Sequence, residues 1–201
     1  MDLATLVPVV LAGYLLGSIP FGLILTSLTG GGDLRSVGSG NIGATNVLRT
    51  GRKGLAAATL LLDLGKGFAA VWLAHDVLGG DPAIGGLAAV IGHCFPVWLK
   101  FKGGKGVATL MGVALGLAWP IGAVYAAVWL GMLAGTRISS LSGMSAALSA
   151  PVAAWALGFT AFVPVLAVLA VLVVWLHRAN IARLRSGTEP KVGRSKESGE
   201  G

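Results

Sequence analysis

Residues 34–54 read LRSVGSGNIGATNVLRTGRKG, a polar, glycine-rich, basic segment between two long apolar runs. Gly38, Gly40 and Gly43 let backbone N–H groups turn toward a common point. Ser39, Asn41, Thr45 and Asn46 add neutral hydrogen-bonding groups, and Arg35, Arg49, Arg52 and Lys53 add positive charge. Backbone amides, hydroxyls and a guanidinium fork are the parts of a phosphate cradle. A plainer reading fits equally well: a solvated positive loop that orients a membrane protein. On this segment alone both stand.

The flanking runs set the class. Hydrophobic residues are 55% of the chain and charged residues 11%, against about 25% charged in soluble domains, and the mean hydropathy is +0.82. This is the composition of an integral membrane protein. Asp2 and Asp33 are the only charges ahead of Arg35, so residues 1–29 lack the basic start of a cleaved signal and read as a retained span. The single cysteine, Cys94, excludes an internal disulfide and a cysteine-rich metal site. A net charge of +7 is compatible with nucleic acid, but a basic excess confined to loops follows from membrane orientation and anionic lipid alone, so no nucleic-acid partner is expected.

A helix needs about 20 apolar residues to cross the hydrocarbon core. Residues 3–28, 55–78 and 83–99 each supply a span, the second interrupted by Asp63 and Lys66. Residues 107–133 are one long helix or two short ones broken at Trp119 and Pro120, and 141–176 is too long for one. Charge chooses between these. With seven spans and the N-terminus outside, all fifteen Lys and Arg fall on the inner side or in the inner half of span two, and the outer side keeps only Asp2, Asp76 and Asp81. Five spans, the alternative, export Arg137; an even count exports the basic tail. The expected fold is therefore an all-α polytopic helical bundle of seven transmembrane helices, with a cytoplasmic C-terminus and a short, tilted or protein-buried span near 107–118. Residues 1–191 read as one transmembrane domain and 192–201 as a disordered polar tail. No internal repeat is evident, which argues against a transporter built from inverted halves.

Three polar segments share the inner face. The first is the 34–54 loop. The second runs from Gly92-His93-Cys94-Phe95-Pro96 through Lys100 to Phe101-Lys102-Gly103-Gly104-Lys105-Gly106, where glycines bring backbone near a ligand just as a helix begins. It is not a Walker A loop, because Leu99 and Gly106 stand where that pattern needs Gly and Ser or Thr. The third is His177-Arg178-Ala179-Asn180-Ile181-Ala182-Arg183, where a continuing helix puts His177 and Asn180 on one face. His177 reads as a general acid or anion ligand, or as a charge at a helix C-terminus; Arg178 and Arg183 read as site residues or interfacial anchors. Asp63 and Lys66, three apart, read as a self-neutralising pair or, for Lys66, as a substrate contact. His93 reads as a site residue or a helix-end partner, and Glu189 with Lys191 as a surface pair.

Acids are too few for a hard-metal site or a carboxylate-pair hydrolase. No G-x-S-x-G elbow occurs, and no His is followed at the fifth position by Asp. Many anion-binding groups and almost no general base fit a substrate with more than one phosphate, or two phosphorylated substrates, where binding and orientation supply most of the rate.

The runs Gly38-Ser39-Gly40-Asn41-Ile42-Gly43-Ala44-Thr45-Asn46 with Arg49, Gly92-His93 with Phe95-Pro96 and 101–109, and His177-Arg178 with Asn180-Ile181, Arg183-Leu184, Gly187 and Glu189 resemble the three motifs of the bacterial membrane glycerol-3-phosphate acyltransferases that use acyl phosphate, the PlsY type. The segments 17–20 and 63–67 look like that family too, so the likeness runs from about Gly13 to Lys191. It implies acyl transfer from acyl phosphate to the 1-hydroxyl of glycerol 3-phosphate, giving lysophosphatidic acid and phosphate without metal, cofactor or coenzyme A. It implies catalytic roles for Ser39, Arg49, His177 and Asn180, and substrate contacts from Gly38, Gly40, Asn41, Gly43, Thr45, Asn46, Lys66, His93, Lys102, Gly103, Gly104, Lys105, Gly106 and Arg178. The expected setting is the bacterial inner membrane, with the site facing the cytoplasm, membrane lipid around it and no protein partner required beyond a monomer.

Overall fold

The computed structural model describes residues 1–37 and 40–193, and among these every regular element is helical. Helix α1 (Leu3–Gly17) starts at Asp2, whose carboxylate accepts the Thr5 N–H at 2.9 Å, and ends before Pro20, which cannot continue it. Helix α2 (Phe21–Leu28) resumes the apolar run, and the two make one candidate span of 26 residues. A short α3 (Ala44–Arg49) lies in the polar connection. Helix α4 (Lys53–Trp72) continues through a π-helical turn at Leu73–Val77, and α5 (Pro82–Cys94) is opened by the Asp81 cap and Pro82 in its first turn.

The two ambiguous stretches are both divided. Helices α6 (Val107–Leu117) and α7 (Trp119–Thr136) meet at Ala118, whose extended backbone breaks the ladder beside Pro120. Helices α8 (Ser139–Ala156) and α9 (Val163–Leu176) divide the later run, and α10 (Arg178–Arg185) follows α9 at a bend of 58°. Among the described residues four helical stretches can cross a membrane by length and composition: Leu3–Leu28, Lys53–Val77, Pro82–Leu99 and Trp119–Thr136. A fifth is added if the bent α9–α10 pair is one span. Helix α6 is short at 11 residues, about 16 Å against a hydrocarbon core of about 30 Å. Helix α8 matches α7 in length but carries five serines.

Packing follows the rule for helices in lipid, where apolar surface alone drives no association and close approach of small residues does. Helices α1 and α5 touch backbone to backbone: a methyl group on Gly17 would run into the Ala89 carbonyl, and one on Gly92 into that of Tyr14. Helices α4 and α6 do the same where Gly112 faces the Leu64 carbonyl. The second half of the bundle packs Ala146, Ala147, Ala150 and Ala154 of α8 against Ile121, Tyr125, Leu166, Leu169 and Val173. Large side chains such as Leu11, Leu61, Phe68, Val152 and Val171 are instead exposed, as expected of an outer surface that meets lipid.

Candidate active site

The connections at one end of the bundle enclose a cavity of about 290 Å³. Its wall includes Asn41, Gly43, Thr45, Asn46 and Arg49 from the first polar segment, His93, Lys105 and Gly106 from the second, and His177 and Asn180 from the third. Segments more than a hundred residues apart thus converge on one space. Gly40, Lys66, Lys102, Gly103, Gly104 and Arg178 do not line it, and Gly38 and Ser39 lie outside the described residues.

The first segment is pinned from inside. The Asn46 side-chain amide donates to the carbonyls of Leu34 and Val37, both at 2.9 Å, and Asn41 Oδ1 accepts the Gly43 N–H at 2.9 Å in a turn that leads into α3. Arg35 is spent on Asp33, 2.9 Å away. Arg49 is different: among the described residues no acceptor engages its guanidinium. The hydroxyls of Thr45 and Ser139 are hydrogen-bonded at 2.8 Å, tying this segment to the start of α8.

The second segment folds back on the end of α5. Lys100 and Phe101 both hold left-handed backbone (φ 52° and 61°), a costly state for residues with a side chain. The Phe101 N–H donates to the Pro96 carbonyl, that of Gly103 to Cys94 and that of Gly104 to His93, each at 3.0 Å, and these bonds hold the strained turn. Lys105 then projects inward and donates to Asn180 Oδ1. Lys102 stays at the surface. Lys66, expected as a substrate contact, points elsewhere: its ammonium sits 2.7 Å from Asp63 Oδ1 and donates to the Ile19 carbonyl at 2.8 Å.

The third segment departs from a continuing helix. The backbone N–H of His177 is shared between the carbonyls of Val173 and Val174, and its Nδ1–H donates to Val173 at 2.7 Å, so α9 is capped there and α10 turns away. Because a carbonyl can only accept, Nδ1 carries the proton and a neutral ring keeps Nε2 as its acceptor. Arg178 lies over the Trp175 ring, 4.6 Å from its centroid, as an interfacial residue does.

Glu189 is not the surface pair expected with Lys191. Its side chain is buried, with Oε1 accepting from the Ser140 hydroxyl and the Asn180 amide, both at 2.6 Å, and Oε2 accepting from Arg183 Nε at 2.7 Å. Burial works to raise the pKa of this carboxyl, but the hydrogen bonds from Ser140, Asn180 and Arg183 outweigh it and hold the pKa below its ordinary value. Glu189 thereby aims Asn180 at Lys105. Burial first, then the positive charges of Arg183, Arg49 and Arg178, push Lys105 down to about 8 against the pull of Glu189. Sequence reading also missed Ser139 and Ser140, whose only signal was their place at the start of α8, and an apolar arm of the cavity formed by Leu60, Leu61, Leu64, Met111, Trp129 and Leu130. Among the described residues no group of three or more His, Cys, Asp or Glu is placed to hold a metal ion.

A family model described as glycerol-3-phosphate acyltransferase matches residues 7–187. The chain is 73% identical to the glycerol-3-phosphate acyltransferase of Novosphingobium aromaticivorans, over 96% of this chain and 97% of that one. It is 63% identical to that of Erythrobacter litoralis, over 91% of this chain and 93% of the relative. Its fold matches crystal structures of PlsY (YgiH), an integral membrane glycerol 3-phosphate acyltransferase. For the glycerol 3-phosphate form the TM-score is 0.88 at 39% identity, covering 94% of this chain and 96% of that chain. For the lysophosphatidic acid form the values are 0.86 and 38%, over 94% and 95%. With its all-helical bundle, its apolar spans and the match over residues 7–187, this chain belongs to the bacterial membrane glycerol-3-phosphate acyltransferase family.

Proposed function

We propose that the protein transfers an acyl group from acyl phosphate to the 1-hydroxyl of glycerol 3-phosphate, giving lysophosphatidic acid and inorganic phosphate, the first acylation of phospholipid synthesis. The observation that carries this reading is the double character of the cavity. Cationic and hydrogen-bonding groups from three segments gather beside an apolar arm between α4, α6 and α7, which suits a phosphate-headed acyl chain next to a second small phosphate. The glycerol 3-phosphate and lysophosphatidic acid forms of the related enzyme support the same acceptor and product.

Arg49, Ser39 and the amides of the 38–43 loop hold the acyl phosphate head, while Lys105, Asn180 and His177, with Lys102 from the same segment as Lys105, hold glycerol 3-phosphate. The glycerol oxygen bonds to the acyl carbonyl carbon, the bond from that carbon to the phosphate oxygen breaks, and phosphate leaves with the electron pair. The hydroxyl proton passes to a phosphate oxygen of a substrate, and Ser39 donates a hydrogen bond without being acylated. Acyl phosphate is already activated, so gripping two anions that repel each other and aiming the hydroxyl supplies the rate. No metal or coenzyme A takes part.

The site faces the cytoplasm of a bacterial inner membrane crossed seven times, with the N-terminus outside. Two features support this arrangement. The Thr45–Ser139 bond and the shared cavity draw the 29–52, 100–106, 136–139 and 177–190 segments to one end, which is what an even number of crossings between each would give. The exposed Trp119 and Trp155 stand at the ends of α7 and α8 that this arrangement puts outside, and Trp98 and Trp175 near the span ends that it puts inside, as interfacial belts would. The test is purified protein in detergent with acyl phosphate and glycerol 3-phosphate. Phosphate release matched by lysophosphatidic acid is expected, and no product with acyl-coenzyme A. Donor hydrolysis that ignores glycerol 3-phosphate, or transfer from the thioester, overturns the reading.

A further inference from the structure

Asp63 and Lys66 of α4 and His93 of α5 are 3%, 3% and 5% exposed, three ionisable side chains buried together in an otherwise apolar bundle. Lys66 Nζ lies 2.7 Å from Asp63 Oδ1 and donates to the Ile19 carbonyl, at the break between α1 and α2, with the Phe21 ring centroid 5.6 Å away. On the other side of the same carboxylate oxygen, His93 Nδ1 stands 3.7 Å off, beyond hydrogen-bond distance but in packing contact. The imidazole lies directly under Gly104: a methyl group there would overlap Nε2 and come within 2.7 Å of Cε1. The His93 carbonyl accepts the Gly104 N–H at 3.0 Å. An unbroken series of contacts thus runs from the α1–α2 break through Lys66, Asp63 and His93 to Gly104, the residue before Lys105.

Burying such a group in lipid is costly, and an apolar trio of the same volume would pack the helices as well. What the charges add is direction. We propose that Asp63, Lys66 and His93 are positioning residues for glycerol 3-phosphate: they hold the imidazole against Gly104, Nε2 foremost, and so set the height at which Lys105 enters the cavity and meets Asn180. Lys66 has no wall on the cavity and acts only through the other two. The proposal rests on reading Lys105 and Asn180 as glycerol 3-phosphate ligands.

The test is a double-mutant cycle on the purified enzyme, with turnover and thermal unfolding measured for each variant. His93→Ala and Gly104→Ala should each raise KM for glycerol 3-phosphate about tenfold, with kcat and KM for acyl phosphate changed less than about threefold. In the His93→Ala background, Gly104→Ala should add less than about threefold, because its methyl then enters space the ring had filled. Asp63→Asn with Lys66→Met removes both charges at once and leaves none unpaired; it should unfold near the wild-type temperature yet show the same selective KM rise. A support that was merely structural would lower the unfolding temperature without selecting one substrate. Penalties for His93→Ala and Gly104→Ala that simply multiply, or a wild-type KM in the Asp63→Asn/Lys66→Met enzyme, overturn the proposal. If that charge-free variant does not accumulate, the His93/Gly104 cycle decides alone. Absence of glycerol 3-phosphate-dependent phosphate release from the wild-type protein would overturn the functional reading instead.

Discussion

Arg49 and Lys105 carry complementary tests, since one has no acceptor among the described residues and the other is engaged. Arg49→Ala and Ser39→Ala should each lower kcat/KM by about 10²–10³-fold with unfolding unchanged, and a variant that turns over near-normally removes that residue from the site. Trapping an acylated Ser39 would refute its role as a donor. Lys105, pushed down to about 8, is charged below that pH and neutral above it. In the free enzyme kcat/KM for glycerol 3-phosphate should therefore fall as pH rises through about 8, above the rise near pH 6 that the second ionisation of the substrate phosphate brings. Lys105→Arg keeps its charge, so its alkaline limb should move beyond about pH 10; a limb that stays in place assigns the titration to another group. Both residues stood out in the sequence because charge inside a glycine-rich polar segment is a local signal. Glu189 was not, because two of its three donors, Ser140 and Asn180, are brought to it only by folding. Glu189→Gln turns an amide NH₂ toward at least one of these donors and should cost about 1–3 kcal/mol, read as a lower unfolding temperature together with weakened turnover through Asn180.

Helices start and stop here largely for reasons written in the chain. Asp81-Pro82 opens α5, Pro120 opens α7 and Pro164 opens α9, and each is visible as a local breaker or cap. The bend after α9 is not, because it comes where His177 turns both its N–H groups back on α9, a choice no spacing rule records. Which glycines matter is also invisible in sequence, since 32 of them are scattered through spans and loops alike. The structure separates them by what a methyl group would meet. On Gly112 it would meet the Leu64 carbonyl, and the backbone contact of α4 with α6 would have to open, whereas on Gly65, in the same helix as Leu64, nothing lies within 4 Å. Gly112→Ala should then destabilise by about 1–3 kcal/mol or prevent accumulation, while Gly65→Ala should be neutral or slightly stabilising, measured as unfolding in detergent. Equal behaviour of the two would mean that α4 and α6 do not meet through bare backbone.

The bundle is held by small residues inside and faces lipid with large ones, so its orientation is set by charge, and charge is what the sequence displays best. All fifteen Lys and Arg can share the inner side, leaving Asp2, Asp76 and Asp81 outside. What the sequence left open was how many times the stretches 107–133 and 141–176 cross. Their division at Ala118 and between α8 and α9 makes two hairpins, each able to leave the inner face and return. On that arrangement Lys102 and Arg137 lie inside and Asp81 lies outside, an assignment that labelling can read directly. Cys94 is 2% exposed and should stay silent, so single cysteines can be introduced without removing it. In intact cells whose outer barrier is opened to small reagents, a maleimide that cannot cross the inner membrane should modify Asp81→Cys at once. Lys102→Cys and Arg137→Cys should react only after the inner membrane is permeabilised. Labelling of Arg137→Cys from outside, with Lys102→Cys protected, would restore the five-span arrangement. It would also separate Ser139 from Thr45 across the bilayer, which their 2.8 Å hydrogen bond does not permit in the same fold.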